Sequence, residues 1–283
     1  MRKTRICDSA EMNTGGSACS VDWGKIKGAI IVEHGKKLPA DLTPEKLAEL
    51  CHADRPDRIY PILTFVEYAK SGGEAQVSAV GYGPNQYNGL NAQTDTFTLA
   101  RFDEMLNAEL LRCANKQWDV YYWDSNKMLI GYNDGTDELA GIPMSAIYPG
   151  STPYSTSGAK SSMTVNFAHL DAEDSQLNFD YTKLDFNPAN VVKGLTEVVL
   201  EEVSENTYKI IEVVGGYDRT AEFITAITSA ATEVFEGVTS ATESESGLIT
   251  LVPGEGTLGI KHPSVLFTKD VKWIEFVKII ELP

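Results

Sequence analysis

Trp118–Pro149 reads WDVYYWDSNKMLIGYNDGTDELAGIPMSAIYP, and the way its apolar runs break at turn residues decides the fold class. Gln117 to Trp123 is rich in aromatic and β-favouring residues, Asp124-Ser125-Asn126-Lys127 is a polar turn cluster, and Met128 to Tyr132 is a second apolar run. The three together predict a β-hairpin. Asn133-Asp134-Gly135 marks a further turn, because Asn and Gly tolerate the positive φ that such turns require. Successive strand residues face opposite ways, so Trp118, Tyr121, Tyr122, Trp123 and Tyr132 divide between a core and an exposed face. A subunit interface is expected at Trp118, Tyr122 and Tyr132, in preference to a sugar-binding platform.

Upstream of the hairpin the period changes. Phe102, Met105, Leu106, Ala108, Leu110 and Cys113 recur at helical spacing and predict an amphipathic helix over Arg101–Ala114. Nearer the N-terminus, Gly28–Glu33 reads as a strand and Pro44–Cys51 as a short helix, with Thr43 as N-cap and Pro44 at its first position. Arg58–Ala69 reads as a strand broken or edged by Pro61, and Ala75–Val80 as another that leads into the loop GYGPNQYNGLNAQ. Residues 7–24 have no period of either kind. The elements from Gly28 to Tyr132 are expected to form a sheet with a helix across one face.

Downstream, PGSTPYSTSGAKSS has the composition of an interdomain boundary, placed near residue 158. Beyond it Met163–His169 and Phe179–Phe186 read as strands, and Leu195–Val203 with Thr207–Val214 as a hairpin across Ser204-Glu205-Asn206. Arg219–Phe235 carries one apolar face and reads as a helix, while Gly247–Val252, Ser264–Thr268 and Val271–Ile280 read as short strands. The expected organisation is an extended N-terminal arm over residues 1–28, an α+β domain over 29–157 and a β-rich domain over 158–283. The fold class is α+β, mainly β.

Composition bounds the function. The chain has 283 residues, of which 42% are hydrophobic and 23% charged, enough to bury real cores. Its net charge of −16 repels phosphate backbones and argues against a sequence-reading nucleic-acid binder. Residues 1–40 nevertheless carry a net +3, which leaves −19 on residues 41–283: a basic head on an acidic body. The MRKTRIC start is basic but has no apolar segment behind it, so no export is expected, and no stretch approaches a membrane span. Cys7, Cys19, Cys51 and Cys113 are sparse and form no CxxC pair, so they are expected as reduced thiols in a cytoplasmic setting.

No motif supplies chemistry. His34, His52, His169 and His262 are too scattered for a zinc pattern. His169-Leu170-Asp171-Ala172-Glu173-Asp174 offers oxygen ligands, yet reads as an acidic loop between strands. Asn133 to Glu138 fails the spacing of a calcium loop and reads as a hairpin turn and helix cap. Cys51-His52 is explained by a helix C-terminus, and Gly81-Tyr82-Gly83 with Gly89 fits no phosphate-binding pattern. No catalytic residue, cofactor or metal is expected.

The block TFTLARFDEMLNAELLRCANKQWDVYYWDSNKMLIGYNDGTDELAGIPMSAIYPGSTPY, Thr96 to Tyr154, resembles virion structural proteins of tailed bacteriophages that infect Bacteroidetes, the crAss-like group among them. The likeness continues through SSMTVNFAHLDAEDSQLNFDY and NPANVVKGLTEVVLEEV, about two thirds of the chain in all. It implies a noncatalytic component of the tail, neck or ring assembly, packed as a homo-oligomeric ring around a DNA conduit. Its partners would be its own copies, other tail or neck proteins, and passing DNA met without sequence-specific contact, with no membrane involved. The location implied is the virion, after synthesis in the host bacterial cytoplasm. An acidic lumen suits that role, because it repels DNA and lets it slide. Arg2, Lys3 and Arg5 of the basic arm would then lie on the adjacent subunit or the next ring. Two readings from other classes stand beside this one: a carbohydrate-binding or adhesin-type virion module, and a hydrolase with a dispersed carboxylate site near His169, Asp171 and Asp174.

Overall fold

The computed structural model describes residues 23–150, 155, 158, 160–244 and 246–280. It is α+β and mainly β, as its sequence predicts. Two compact units share the chain: one holds the described residues up to 44 and those from 60 to 192, the other residues 45–59 and 193 onward.

The first unit begins with β1 (Ile26–Glu33), which leads into α1 (Pro44–His52), a helix that belongs almost wholly to the second unit. The first unit resumes with β2 (Tyr60–Leu63), β3 (Phe65–Gly72), β4 (Ala75–Ala79), β5 (Asn85–Leu90), β6 (Gln93–Leu99) and α2 (Glu104–Arg112). The expected hairpin follows as β7 (Trp118–Asp124) and β8 (Met128–Tyr132), then β9 (Ile142–Pro149), β10 (Met163–His169), α3 (Ala172–Leu177) and β11 (Phe179–Lys183). The strand expected to be broken or edged by Pro61 carries that proline on β2, which pairs only with β1, and its break falls at Thr64. Pro61 sits on β2 opposite Ile30, while β2 and β3 pair with different strands.

Those different partners close the sheet. β2 pairs with β1, β1 with β7, β7 with β9, β9 with β10, β10 with β6, and β6 with β3, which Thr64 joins back to β2. Closed through the chain at Thr64, the circuit forms a barrel with the expected helix, α2, packed on its apolar cluster, and β8 and β11 extend it beyond β7. Every strand of the circuit contributes to one apolar cluster: Ala29, Ile62, Phe65, Phe97, Val120, Tyr122, Ile142, Met144, Val165 and Phe167 are all within it. Leu110 of α2 joins the same cluster, with Phe102 and Leu106 packed against it. Each fully buried Val, Leu, Ile, Phe or Met side chain among them contributes about 1.5–3 kcal/mol.

The β7–β8 turn is tied by Asp124, whose buried carboxylate accepts from the backbone N–H groups of Asn126 and Met128 at 2.8 Å and of Gly24 at 2.7 Å. Asp119, also buried, accepts from Gly35 N at 2.7 Å and from His34 Nδ1 at 2.8 Å. These carboxylates sit where backbone or imidazole donors replace lost water, which is what makes a buried charge tolerable.

The boundary expected near residue 158 separates nothing. The Ser/Gly-rich stretch connects β9 to β10, which pair with each other from Val165 opposite Pro149 onward. It is a hairpin connection, so Met163–His169 and Phe179–Lys183 belong to the first unit's sheet and the change of unit falls at residues 192–193.

The second unit contains β12 (Thr196–Ser204), β13 (Thr207–Glu212), α4 (Thr220–Ser229), α5 (Ala231–Val234), β14 (Phe235–Glu236), β15 (Val238–Glu243), β16 (Ile249–Pro253), β17 (Gly259–Ile260), α6 (Pro263–Phe267) and β18 (Ile274–Ile280). Its main sheet runs β15-β16-β13-β12-β18, with β12 and β18 parallel. The expected helix over Arg219–Phe235 is interrupted at Ala230, whose φ of −134° leaves the helical region. Ser264–Thr268, expected as a strand, is largely α6 instead, because Pro263 occupies the first helical position with its φ already set.

His52, at the end of α1, packs inside this unit between the rings of Phe267 and Trp273, with centroids at 4.4 and 4.5 Å. Its Nδ1 donates to Ala48 O at 2.8 Å and its Nε2 accepts from Trp273 N at 2.9 Å, a pattern only the neutral ring can satisfy. Burial accordingly lowers its pKa below the ordinary 6.5. The unfolded chain then takes up the proton first on acidification, so this contribution to stability is present above pH 6.5 and is lost as pH falls through the folded value. Denaturant titrations between pH 7.5 and 5 should show wild type losing stability faster than His52→Gln; equal slopes would refute the assignment.

Candidate functional site

The root of the site is an antiparallel pair. β3 and β6 run side by side from Phe65 opposite Leu99 to Gly72 opposite Gln93, and β6 is held on its other side by β10. At Gly72 and Gly73 the outgoing strand bends with φ of +77° and +73°. A Cβ on Gly72 would meet the carbonyl of Ala92, so only glycine fits there. Past the bend β4 and β5 pair only with each other, and every residue of β4 is exposed. The result is a two-stranded arm ending at Gly81-Tyr82-Gly83, where Gly83 N donates to Val80 O at 2.8 Å.

Most of the arm was expected as a loop; half of that loop is β5. Val77 is 58% exposed, Tyr87 opposite it 55%, and Tyr82 at the tip stands fully in solvent. From Ala75 to Thr94 the sequence has no charged residue, in a chain of net charge −16. Exposed apolar groups gathered on one uncharged element are a recognised signature of an interaction site.

A buried polar cluster anchors the arm. Asp95 of β6, on the same face as Phe97, and His169 at the end of β10 have side chains only 7% and 5% exposed. His169 Nε2 lies 2.7 Å from Asp95 Oδ2; because an ionised carboxylate only accepts, the nitrogen donates. The hydroxyl of Tyr68, on β3, donates to Asp95 Oδ1 at 2.9 Å, and Gln93 Nε2 to the same oxygen at 3.3 Å. Gln176 of α3 donates to Gln93 Oε1 at 3.0 Å. Burial and the neighbouring Asp95 carboxylate push the Tyr68 and Tyr122 hydroxyl pKa values above the ordinary phenol range. His169 Nδ1 and the Tyr122 hydroxyl are buried with no hydrogen-bond partner among the described residues.

The expected acidic loop at His169–Asp174 is the end of β10 and the first turn of α3. Asp171 is the N-cap, accepting from Glu173 N and Asp174 N at 2.9 and 3.0 Å. Asp174 accepts from the Tyr132 hydroxyl at 2.5 Å and from Asn178 Nδ2 at 2.8 Å. His169 pairs with Asp95, so the three residues of the hydrolase reading serve separate structural ends. The Asn133–Glu138 segment leads into no helix. Asp134 accepts from Lys37 and from Thr136, and the Lys37 ammonium first, then Thr136, lowers its pKa to about 2. Among the described residues no three His, Cys, Asp or Glu side chains gather as a metal-holding group, and no helix is long and apolar enough to cross a membrane.

The expected interface residues fare unequally. Trp118 and Tyr122 are barrel core, with Trp118 edge-on to Tyr60 at 5.7 Å and Tyr122 against Phe97 and Phe167 at 5.1 and 5.6 Å. They offer nothing to a neighbouring subunit, because β7 is buried on both faces. Tyr132 is partly buried and bonded to Asp174. Arg2, Lys3 and Arg5 lie outside the described residues. Exposed aromatic groups are found instead at positions that include Tyr82 and Tyr87 of the arm, in a segment whose Gly, Asn and Pro content reads as loop.

No protein-family model matches the chain, and no curated protein matches it in sequence.

Proposed function

We propose that this chain is a noncatalytic structural component of a tailed-phage virion, assembling as a homo-oligomeric ring in the tail or neck around the DNA conduit. The observation that carries the reading is the arm: an uncharged β ribbon with exposed Val77, Val80, Tyr82 and Tyr87, standing off an acidic barrel. Such an element suits contact between protein copies better than chemistry, since it holds no His, Cys or charged side chain. The resemblance of Thr96–Tyr154 to crAss-like virion proteins supplies the setting, and the −19 charge of residues 41–283 suits a wall that DNA slides past. Asp171 and Asp174, on which a hydrolase would depend, are spent on capping α3 and receiving Tyr132.

Single-particle electron microscopy of the purified protein, and of particles that contain it, tests the proposal. Closed rings with a central channel are the expected result. A monodisperse monomer that also fails to enter particles would overturn it.

A further inference from the structure

The arm has one edge that is held and one that is open. β5 lies against α3: the Tyr87 hydroxyl bonds Glu173, and Gly89 sits so close that an added Cβ would come within 3.0 Å of a Glu173 carboxylate oxygen. β4 has β5 on one side and no strand on the other among the described residues. An isolated two-stranded ribbon is marginally stable in water, and an open edge is a template for a further strand.

The sequence of that edge is self-complementary. β4 reads Ala75-Gln76-Val77-Ser78-Ala79. Two copies of one strand meeting antiparallel are related by an axis normal to the sheet, which keeps each side chain on its own face. Centred on Val77, such an axis sets Val77 against its mate, Ala75 against Ala79 and Gln76 against Ser78. Apolar groups then share one face and amides with hydroxyls the other. The face with Val77 also carries Tyr87, its cross-strand neighbour on β5, so the joined sheet presents an unbroken apolar row of Tyr87, Val77, Val77 and Tyr87. The register shift between Ala75 and Val77 places the additional residue on β5, which leaves the β4 edge regular. The absence of charge from Ala75 to Thr94 lets two chains of net charge −16 approach there without like charges opposed.

From this geometry we infer that β4 pairs with β4 of a second copy about a two-fold axis at Val77, giving a four-stranded β5-β4-β4-β5 sheet. The contact joins copies in pairs. It is independent of ring closure, which needs a heterologous contact, and it goes beyond the ring reading.

Full-length Val77→Cys and Tyr82→Cys, both at exposed positions, test it under mild oxidation, with wild type as the control for native cysteines. Opposed strand residues have Cα atoms about 4.5–5.5 Å apart, within disulfide reach. Mates of Tyr82, five residues further along each strand at about 3.3 Å per residue, would be roughly 30 Å apart. Val77→Cys should give covalent dimer at least about tenfold faster than Tyr82→Cys, a ratio that random collision between exposed thiols does not produce. Val77→Lys, which sets two ammonium groups face to face, should abolish pairing in sedimentation velocity without lowering the melting temperature. Equal crosslinking at the two positions, or pairing that survives Val77→Lys, overturns the inference. Rings whose copies are unpaired at Val77 would do so too while leaving the ring proposal standing; pairs without rings would do the reverse.

Discussion

Asp95→Ala lowers the free energy of unfolding by about 3–5 kcal/mol, because it removes an acceptor that several buried or half-buried donors share. The loss has several parts because Asp95 receives three donors. His169 Nε2, the Tyr68 hydroxyl and Gln93 Nε2 would each keep a buried or half-buried donor without its acceptor. Each such orphan costs about 1–3 kcal/mol when water cannot reach it. Asp95→Asn keeps an accepting oxygen but turns an NH2 toward the remaining donors, so it should lose less than the alanine variant. Chemical denaturation followed by circular dichroism measures both. A loss under about 1 kcal/mol for Asp95→Ala would show that the cluster gives no net stabilisation. Because Tyr68 is on β3, limited proteolysis should also cut within Gly72–Asn91 more readily in the alanine variant.

Phe97→Ala should cost a comparable amount, about 3–5 kcal/mol, through a cavity rather than an orphaned donor. Phe97 is 2% exposed and lies at the centre of an aromatic set: stacked on Phe65 at 4.4 Å, tilted to Tyr68 at 5.0 Å and to Tyr122 at 5.1 Å, and edge-on to Phe167 at 5.7 Å. These rings come from β3, β6, β7 and β10, so the wall on several sides would have to collapse inward to refill the space. Paired strands resist that collapse, which places the cost toward the upper end of the range. Phe97→Leu, which keeps most of the volume, should lose less than half as much. Asp95 and Phe97 share Tyr68 as a neighbour, so the double alanine variant should depart from additivity. A double variant that is simply the sum would mean Tyr68 couples nothing.

The same two residues show why part of this fold is hard to read from sequence. The β7–β8 hairpin and α2 were legible because turn residues and helical spacing mark them without reference to the rest of the chain. β6 sends Gln93, Asp95, Phe97 and Leu99 to the barrel side, and its first two inward residues are polar. The period of two is there, yet hydrophobicity conceals it, since what licenses a buried Asp95 is a histidine more than seventy residues away. β5 is invisible for the opposite reason: a strand with most of its residues exposed has no buried side to mark it. β7 misleads in a third way, because burial on both faces removes any alternation that would say which aromatic residue points outward. Barrel closure depends on β2 and β3 taking different partners on either side of Thr64, a long-range fact that no local pattern encodes.

The division of the chain has a bearing on how the molecule is made. Residues 45–59 belong with a unit whose remainder begins at residue 193, and the ring of His52 receives the backbone of Trp273. A ribosome delivers this segment before β2 and its companions after β11, so during synthesis α1 emerges with its apolar side exposed while the barrel sequence from β2 onward is translated. The second unit is therefore completed only after the barrel, and it cannot be obtained whole by expressing residues from 193 onward alone. Fusing residues 45–59 ahead of residue 193 would restore the missing helix and allow that unit to be made without the barrel.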